Sequence, residues 1–178
     1  MKDEIDKKID ELYIKCEFSK DEIIDVVLFA RKLGFVVGDA KSDNIKDGFL
    51  AKNGKKLVIG INIDYDLYYK RYLVAYALGM YFLKNRKEKI YVEQMDLEYQ
   101  IIDANINYFA RSLLIDEESF KLDYISLKDL HYRDEYIDYV LSSKYKVPIN
   151  VIKLRELDVL NSTPKKDTKK GQILQLKK

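Results

Sequence analysis

Residues able to do chemistry are few in this chain. Its one histidine is His131, in LKDLHYRDEY, and its one cysteine is Cys16. A site built on two histidines of the same chain is therefore excluded, as are an internal disulfide and a multi-cysteine zinc site. There is no glycine-rich phosphate loop, no nucleophile elbow and no defensible carboxylate constellation. His131 reads as a surface or satisfied histidine, and Cys16 as a small hydrophobe near a helix end. For phosphate contact the candidates are Lys144, Lys146, Lys153 and Arg155, with the lysines of the C-terminal tail. Asp134, Glu135, Asp138, Glu156 and Asp158 dilute that charge. The 15 tyrosines, many beside charges, reflect either a coding bias toward Tyr, Lys, Ile and Asn or a tyrosine-rich contact surface.

Hydrophobic pattern predicts the elements that must position these side chains. Ile5, Ile9, Leu12 and Tyr13 mark a helix over Lys2–Lys15. Ser19 with Glu22 forms a capping-box pattern for a second helix, stopped by Gly34. Phe35–Val37 reads as a strand, followed by a polar loop over Asp39–Lys46. Asn53-Gly54 between Gly48–Lys52 and Lys56–Ile63 predicts a hairpin in a small antiparallel sheet, with KLVIGINI as an interior strand. Asp64 and Asp66 offer N-caps for a helix running to about Leu83, whose stretch Arg71–Lys84 (RYLVAYALGMYFLK) is apolar enough to be buried on all sides. A short extended piece at Ile90–Val92 precedes a long helix, about Asp96–Ile115. Its expected buried face holds Ile101, Ile102, Ala104, Ile106, Phe109, Ala110, Leu113 and Leu114. Asp116, Glu117 and Glu118 begin a short turn carrying Phe120. Helical segments over Ser126–Leu160 break near Val147-Pro148, with Pro148 suited to a first helical turn.

The fold expected is α+β and mostly helical. At 178 residues, with 47% apolar and 35% charged residues, the chain reads as one domain with a sizeable core. That domain is placed at 1–160, with a helical and sheet part at 1–125 and a C-terminal helical part at 126–160. A loosely held basic tail is expected at 161–178. The 32 basic and 30 acidic residues nearly cancel, so a nucleic-acid or membrane role would need a local patch. The charged start MKDEIDKKIDEL carries no secretory pattern, which predicts a cytoplasmic location. The Leu73–Leu83 run falls far short of the roughly 20 apolar residues that span a bilayer, so no membrane partner is expected.

Five pieces stand in a telling order: the strand end I-x-I-N at Ile59–Asn62, the A-x-x-L-G-x-x-x-L frame within Arg71–Leu83, D-A-N-x-x-x-F-A-x-x-L-L over Asp103–Leu114, then Asp116–Phe120, and finally Lys144–Val147, Pro148 and Leu154–Leu157. Together they resemble the ImmA/IrrE family of zinc metallopeptidases over most of Lys20–Leu160. The resemblance implies a zincin-like domain with a helix-turn-helix-like C-terminal segment. Family members bind zinc through both histidines of H-E-x-x-H and a glutamate of the next helix, and the motif glutamate activates the bound water. Carried over by position, the first histidine becomes Tyr76, the glutamate Ala77, the second histidine Met80 and the third ligand Asp103.

Only Asp103 keeps its chemistry. Ala77 cannot take a proton from water, Met80 offers a soft thioether, and Tyr76 would have to ionise against an ordinary pKa near 10. The resemblance thus implies a pseudo-peptidase, with no metal and no cofactor. Tyr76, Ala77 and Met80 are expected to fill the former cleft as core, and a buried Tyr76 hydroxyl would take Asp103 as its partner. The implied role is protein binding: a regulator from a phage or integrated element that engages a helix-turn-helix repressor or similar protein, for instance by strand addition at the cleft or sheet edge. The alternative is a nucleic-acid-binding regulator that uses residues 136–160 and the basic tail.

Overall fold

The computed structural model describes residues 1–84, 87–97 and 103–162. Among them are seven helices and one four-stranded sheet, an α+β arrangement. In chain order they are α1 (Lys2–Cys16), α2 (Val26–Lys32), β1 (Phe35–Ala40), β2 (Gly48–Asn53), β3 (Lys56–Asn62), α3 (Leu67–Leu83), β4 (Ile90–Met95), α4 (Ala104–Leu114), α5 (Glu117–Asp129), α6 (Asp134–Tyr145) and α7 (Ile149–Ser162). No described helix is long and apolar enough to cross a membrane.

The sheet runs β1-β3-β2-β4. The β2–β3 hairpin pairs antiparallel about Asn53 and Gly54, with Gly54 at φ 59°, and β3 is interior as its β-branched sequence predicts. β1, however, pairs parallel to β3, with Val37 opposite Ile59. The sheet is therefore mixed, which corrects the antiparallel expectation. A hairpin signal reports only on strands joined by a tight turn, and β1 reaches β3 after a long connection. β1 also continues to Ala40, into the stretch expected as loop. The inner face of the sheet presents Phe35, Leu50, Ile59, Ile61 and Met95, all buried, toward α3.

α3 is the centre of the core. Asp66 caps it, its carboxylate accepting from the N–H groups of Tyr68 and Tyr69, and every residue from Arg71 to Met80 is buried. Burial of an aliphatic side chain such as Leu73 or Leu78 stabilises the fold by about 1.5–3 kcal/mol each. α4 crosses α3 closely at Gly79, where an added Cβ would lie 3.1 Å from Ile106 Cγ2 and 3.2 Å from the Ile106 carbonyl. The glycine is there for that approach.

Several boundaries differ from expectation. The second helix starts at Val26, capped by Asp25, whose Oδ1 accepts from Val27 and Leu28 N–H at 3.0 Å. Ser19 instead accepts from the Asp21 N–H in a local turn, and no Ser19–Glu22 capping box forms. A serine and a carboxylate both compete for orphan N–H groups, and Asp25 sits immediately before the apolar run. α4 begins at Ala104 behind the cap Asp103 rather than at Asp96. Its expected face holds at Ile106, Phe109, Ala110, Leu113 and Leu114, but Ala104 is exposed in the first turn; Ile101 and Ile102 lie outside the described residues. The segment after Asp116 is a full helix, α5, capped by Asp116. The 125/126 division falls inside it, and the described helical break comes at residues 130–133. α6 ends at Lys146 (φ 54°), and Val147-Pro148 leads into α7. The tail expected at 161–178 lies outside the described side chains.

Candidate functional site

The four positions singled out by sequence meet where α3 crosses the start of α4. Tyr76, Ala77 and Met80 lie on consecutive turns of α3 and are 7%, 0% and 2% exposed. The Tyr76 ring lies tilted against Tyr72, with centroids 6.2 Å apart. Burial pushes its hydroxyl pKa above the ordinary tyrosine value; a main-chain hydrogen bond from Asp103 opposes that shift, and the Asp103 and Glu93 carboxylates reinforce it. The hydroxyl therefore stays protonated at neutral pH.

Asp103 thus lies beside Tyr76, its main chain favouring the ionised hydroxyl and its carboxylate disfavouring it. Its carboxylate is turned to α4, where Oδ1 accepts from Asn105 N–H at 2.9 Å and Ile106 N–H at 3.2 Å. An N-cap in this geometry stabilises a helix by about 1 kcal/mol. The donor set does not fit a zinc ion. Ala77 has no donor atom, the Met80 sulfur is enclosed in apolar packing, Tyr76 keeps its proton and the one carboxylate is committed to the helix start. Among the described residues no group of three or more His, Cys, Asp or Glu side chains is placed to hold a metal.

Polar chemistry collects instead between α4 and α7. The Arg111 guanidinium grips Asp158 with two bonds, Nε to Oδ2 at 2.5 Å and Nη2 to Oδ1 at 3.0 Å, and Lys2 of α1 adds a third at 2.9 Å. Burial alone would raise the Asp158 pKa, but the hydrogen bonds from Arg111 and Lys2 outweigh it and hold the carboxyl below its ordinary value. Arg155 joins the cluster, its Nη1 donating to Ser112 Oγ at 3.2 Å and lying 3.6 Å from both Glu117 and Asp158. Next to it Tyr108 donates to Asp6, at 3.0 Å. This network ties the first, fourth, fifth and seventh helices together. The sequence signal for it was available: Arg111 interrupts an otherwise apolar helix face, so it needs an interior acceptor.

The proposed phosphate-binding residues do not act as a set. Arg155 is 2% exposed and turned into the interior network, which removes it as a surface contact. Lys144 pairs with Asp123 at 2.5 Å, and Lys153 lies 3.8 Å from Asp138. Lys146 is exposed, in the left-handed turn between α6 and α7, where its carbonyl accepts from Arg71 Nε at 3.1 Å. Arg71 also donates from Nη1 to the Ile24 carbonyl at 2.9 Å, so the arginine that opens the apolar stretch clamps α3 to two loops. Its pKa is lowered, chiefly by burial.

Two hollows flank this frame. One, of about 240 Å³, lies between α1 and α5 and includes Tyr13, Lys20, Asp116, Asp123 and Tyr145. Two of its hydroxyls are already bonded within the protein: Tyr13 donates to the Leu113 carbonyl at 2.7 Å and Tyr145 to Asp123 at 2.6 Å. The other, of about 310 Å³, lies along β1 and is lined mainly by apolar groups such as Val27, Val37, Ile61 and Val74. The first hollow is lined mainly by polar and charged groups and the second mainly by apolar ones. Cys16 is buried, with its thiol pKa raised mainly by burial, and is inert in this state. His131 stands exposed in the α5–α6 turn at φ 60°.

No protein-family model and no curated protein sequence matches the chain.

Proposed function

We infer that the chain is a pseudo-peptidase: a zincin-like domain of ImmA/IrrE resemblance that works by binding a protein, not by cutting one. The partner class we assign is a helix-turn-helix repressor or similar regulator, and the setting a phage or other mobile element. One observation carries this reading. Tyr76, Ala77 and Met80 sit within the core at the α3–α4 crossing, while the Asp103 carboxylate serves as an N-cap. A water-activating centre needs a base and an open ligand position, and these four side chains supply neither. What remains for function is the surface that the rigid crossing supports, in keeping with the resemblance of its α6–α7 pair to the family's helix-turn-helix-like end.

Two measurements test the reading. Elemental analysis of the purified protein is expected to find no stoichiometric zinc, and incubation with unfolded or regulator-type protein substrates is expected to give no cleavage. Affinity capture under native conditions, followed by reconstitution with the purified candidate, is expected to yield a defined protein complex. Stoichiometric zinc or zinc-dependent cleavage would refute the pseudo-peptidase, and a protein that engages no protein partner would refute the binding role.

A further inference from the structure

α6 is a helix with two opposed faces. Ile137, Leu141 and Tyr145, at helical spacing, go into the core with exposures of 1%, 0% and 2%. On the other side Tyr132, just ahead of the helix, is followed by Glu135, Tyr136 and Tyr139. Within the helix Glu135, Tyr136 and Tyr139 share one face by their i, i+1 and i+4 spacing, and Tyr132 joins it through its ring contact with Tyr136. Here that face is open to solvent, with Tyr132, Tyr136 and Tyr139 at 44%, 49% and 65% exposed. Tyr132 and Tyr136 already pack on each other, ring centroids 4.8 Å apart, so two of the three rings are held before any partner arrives.

The charge around the stripe is mildly acidic. Exposed Asp129, Asp134 and Glu135 stand against exposed Arg133 and the partly exposed Lys128. Asp134 is paired with Lys128, whereas Asp129 and Glu135 have no ion pair among the described residues. The chain as a whole carries +2, so this acidic character is local.

We propose that this face of α6 docks a basic, arginine- or lysine-bearing helix of the protein partner. Tyrosine rings offer large, stiff contact area and a negative π-face to a cation, and the carboxylates complement the same charge. Arginine suits both, because its planar guanidinium stacks on a ring while donating to a carboxylate. A like-charged, acidic segment is repelled from the same surface. The inference names the surface for the protein-binding reading above and rests on it.

The test is a nuclear magnetic resonance titration of the full isotope-labelled chain. The probe is an amphipathic peptide of alanine and arginine, with the arginines at i, i+3, i+4 and i+7; the same peptide with glutamate in place of arginine is the control. Saturable shifts confined to α6 and the α5–α6 turn are expected for the arginine peptide only, weakening as salt is raised. The double variant Tyr136→Ala/Tyr139→Ala is expected to lower affinity about tenfold with its melting temperature unchanged. Glu135→Lys, which keeps the rings, separates charge from ring contact and is also expected to weaken binding. Shifts elsewhere on the surface, equal response to the glutamate peptide, or no response overturn the proposal. So does a concentration-dependent dimer in sedimentation that is lost in the tyrosine variant, since a second copy would then occupy the face. A zinc-free chain that captures its partner equally well in both variants sinks this surface but not the binding reading; a zinc-loaded, cleaving chain with the α6 shifts intact does the reverse.

Discussion

The α3–α4 crossing and the α6 helix treat their tyrosines in opposite ways. On α3, Tyr72 and Tyr76 are enclosed by neighbours and have at most 7% of their surface exposed. On α6, Tyr136 and Tyr139 stand in solvent while Tyr145, on the other face, is buried and donates to Asp123. The same residue type is scaffold in one place and surface in the other. Packing on every side makes a helix intolerant of polar substitution and leaves it no surface to offer. Packing on one side only leaves a face that can change without cost to the fold, which is where recognition can be built.

The sharpest way to break this contrast is to introduce metal-ligand chemistry on α3. Tyr76→His/Ala77→Glu/Met80→His places an acid and two imidazoles in a dry crossing. Chemical denaturation without added metal is expected to show a loss of about 3–5 kcal/mol, or no folded protein. Parent-like stability would mean that the crossing is open, and the contrast with α6 would collapse.

Asp158→Asn comes next. It leaves the Arg111 and Arg155 guanidiniums without their buried counter-charge, and a loss of about 3 kcal/mol at neutral pH is expected from urea unfolding. This carboxyl is held below its ordinary value of 3.8. Its contribution is therefore full above that value and disappears as pH falls through the lower folded-state pKa. The parent should lose this part of its stability below about pH 4 while the variant does not. Asp6 and Asp138 act in the other sense, because burial raises their pKa values and protonation on acidification relieves a cost. A difference between parent and variant that stays constant across the acid range would contradict the assignment.

Asp103→Ala should cost about 1 kcal/mol, the value of a lost N-cap, and Asp103→Asn much less. If instead both variants were equally damaging, the carboxylate would have a role beyond capping. At the bottom of the scale, Tyr139→Ala should shift stability by no more than about 0.5 kcal/mol in thermal melts. A larger loss would show that the α6 face is part of the fold.

Much of the architecture was legible without coordinates, and the failures share a cause. Local signals held: the Asn53-Gly54 hairpin, Asp66 as a helix start, Gly34 as a stop, and the all-round apolar stretch of α3. Each depends on residues within a few positions of one another. The misreadings at Ser19, at Asp96 and at the sheet's β1 edge were contests between neighbouring signals, or pairings across a long connection, and propensity does not rank those. At the candidate site, the lack of a donor atom on the Ala77 side chain was plain from its identity. That the Asp103 carboxylate bonds the start of α4 depends on where the capped helix begins.

By itself the sequence determined the inventory of reactive groups, one histidine and one cysteine, and the long apolar run of α3. Those are matters of composition and short spacing, which no fold can alter. Only the tertiary structure decided which charged residues face inward. Arg155 looked like a surface cation and is buried beside Ser112 and Asp158, whereas the three tyrosines near α6's start remain outside. The reason is physical. A helix fixes which side chains share a face, but which face is covered depends on elements distant in the chain, and here α4 and α7 close over one arginine pair while nothing described closes over Tyr132, Tyr136 and Tyr139.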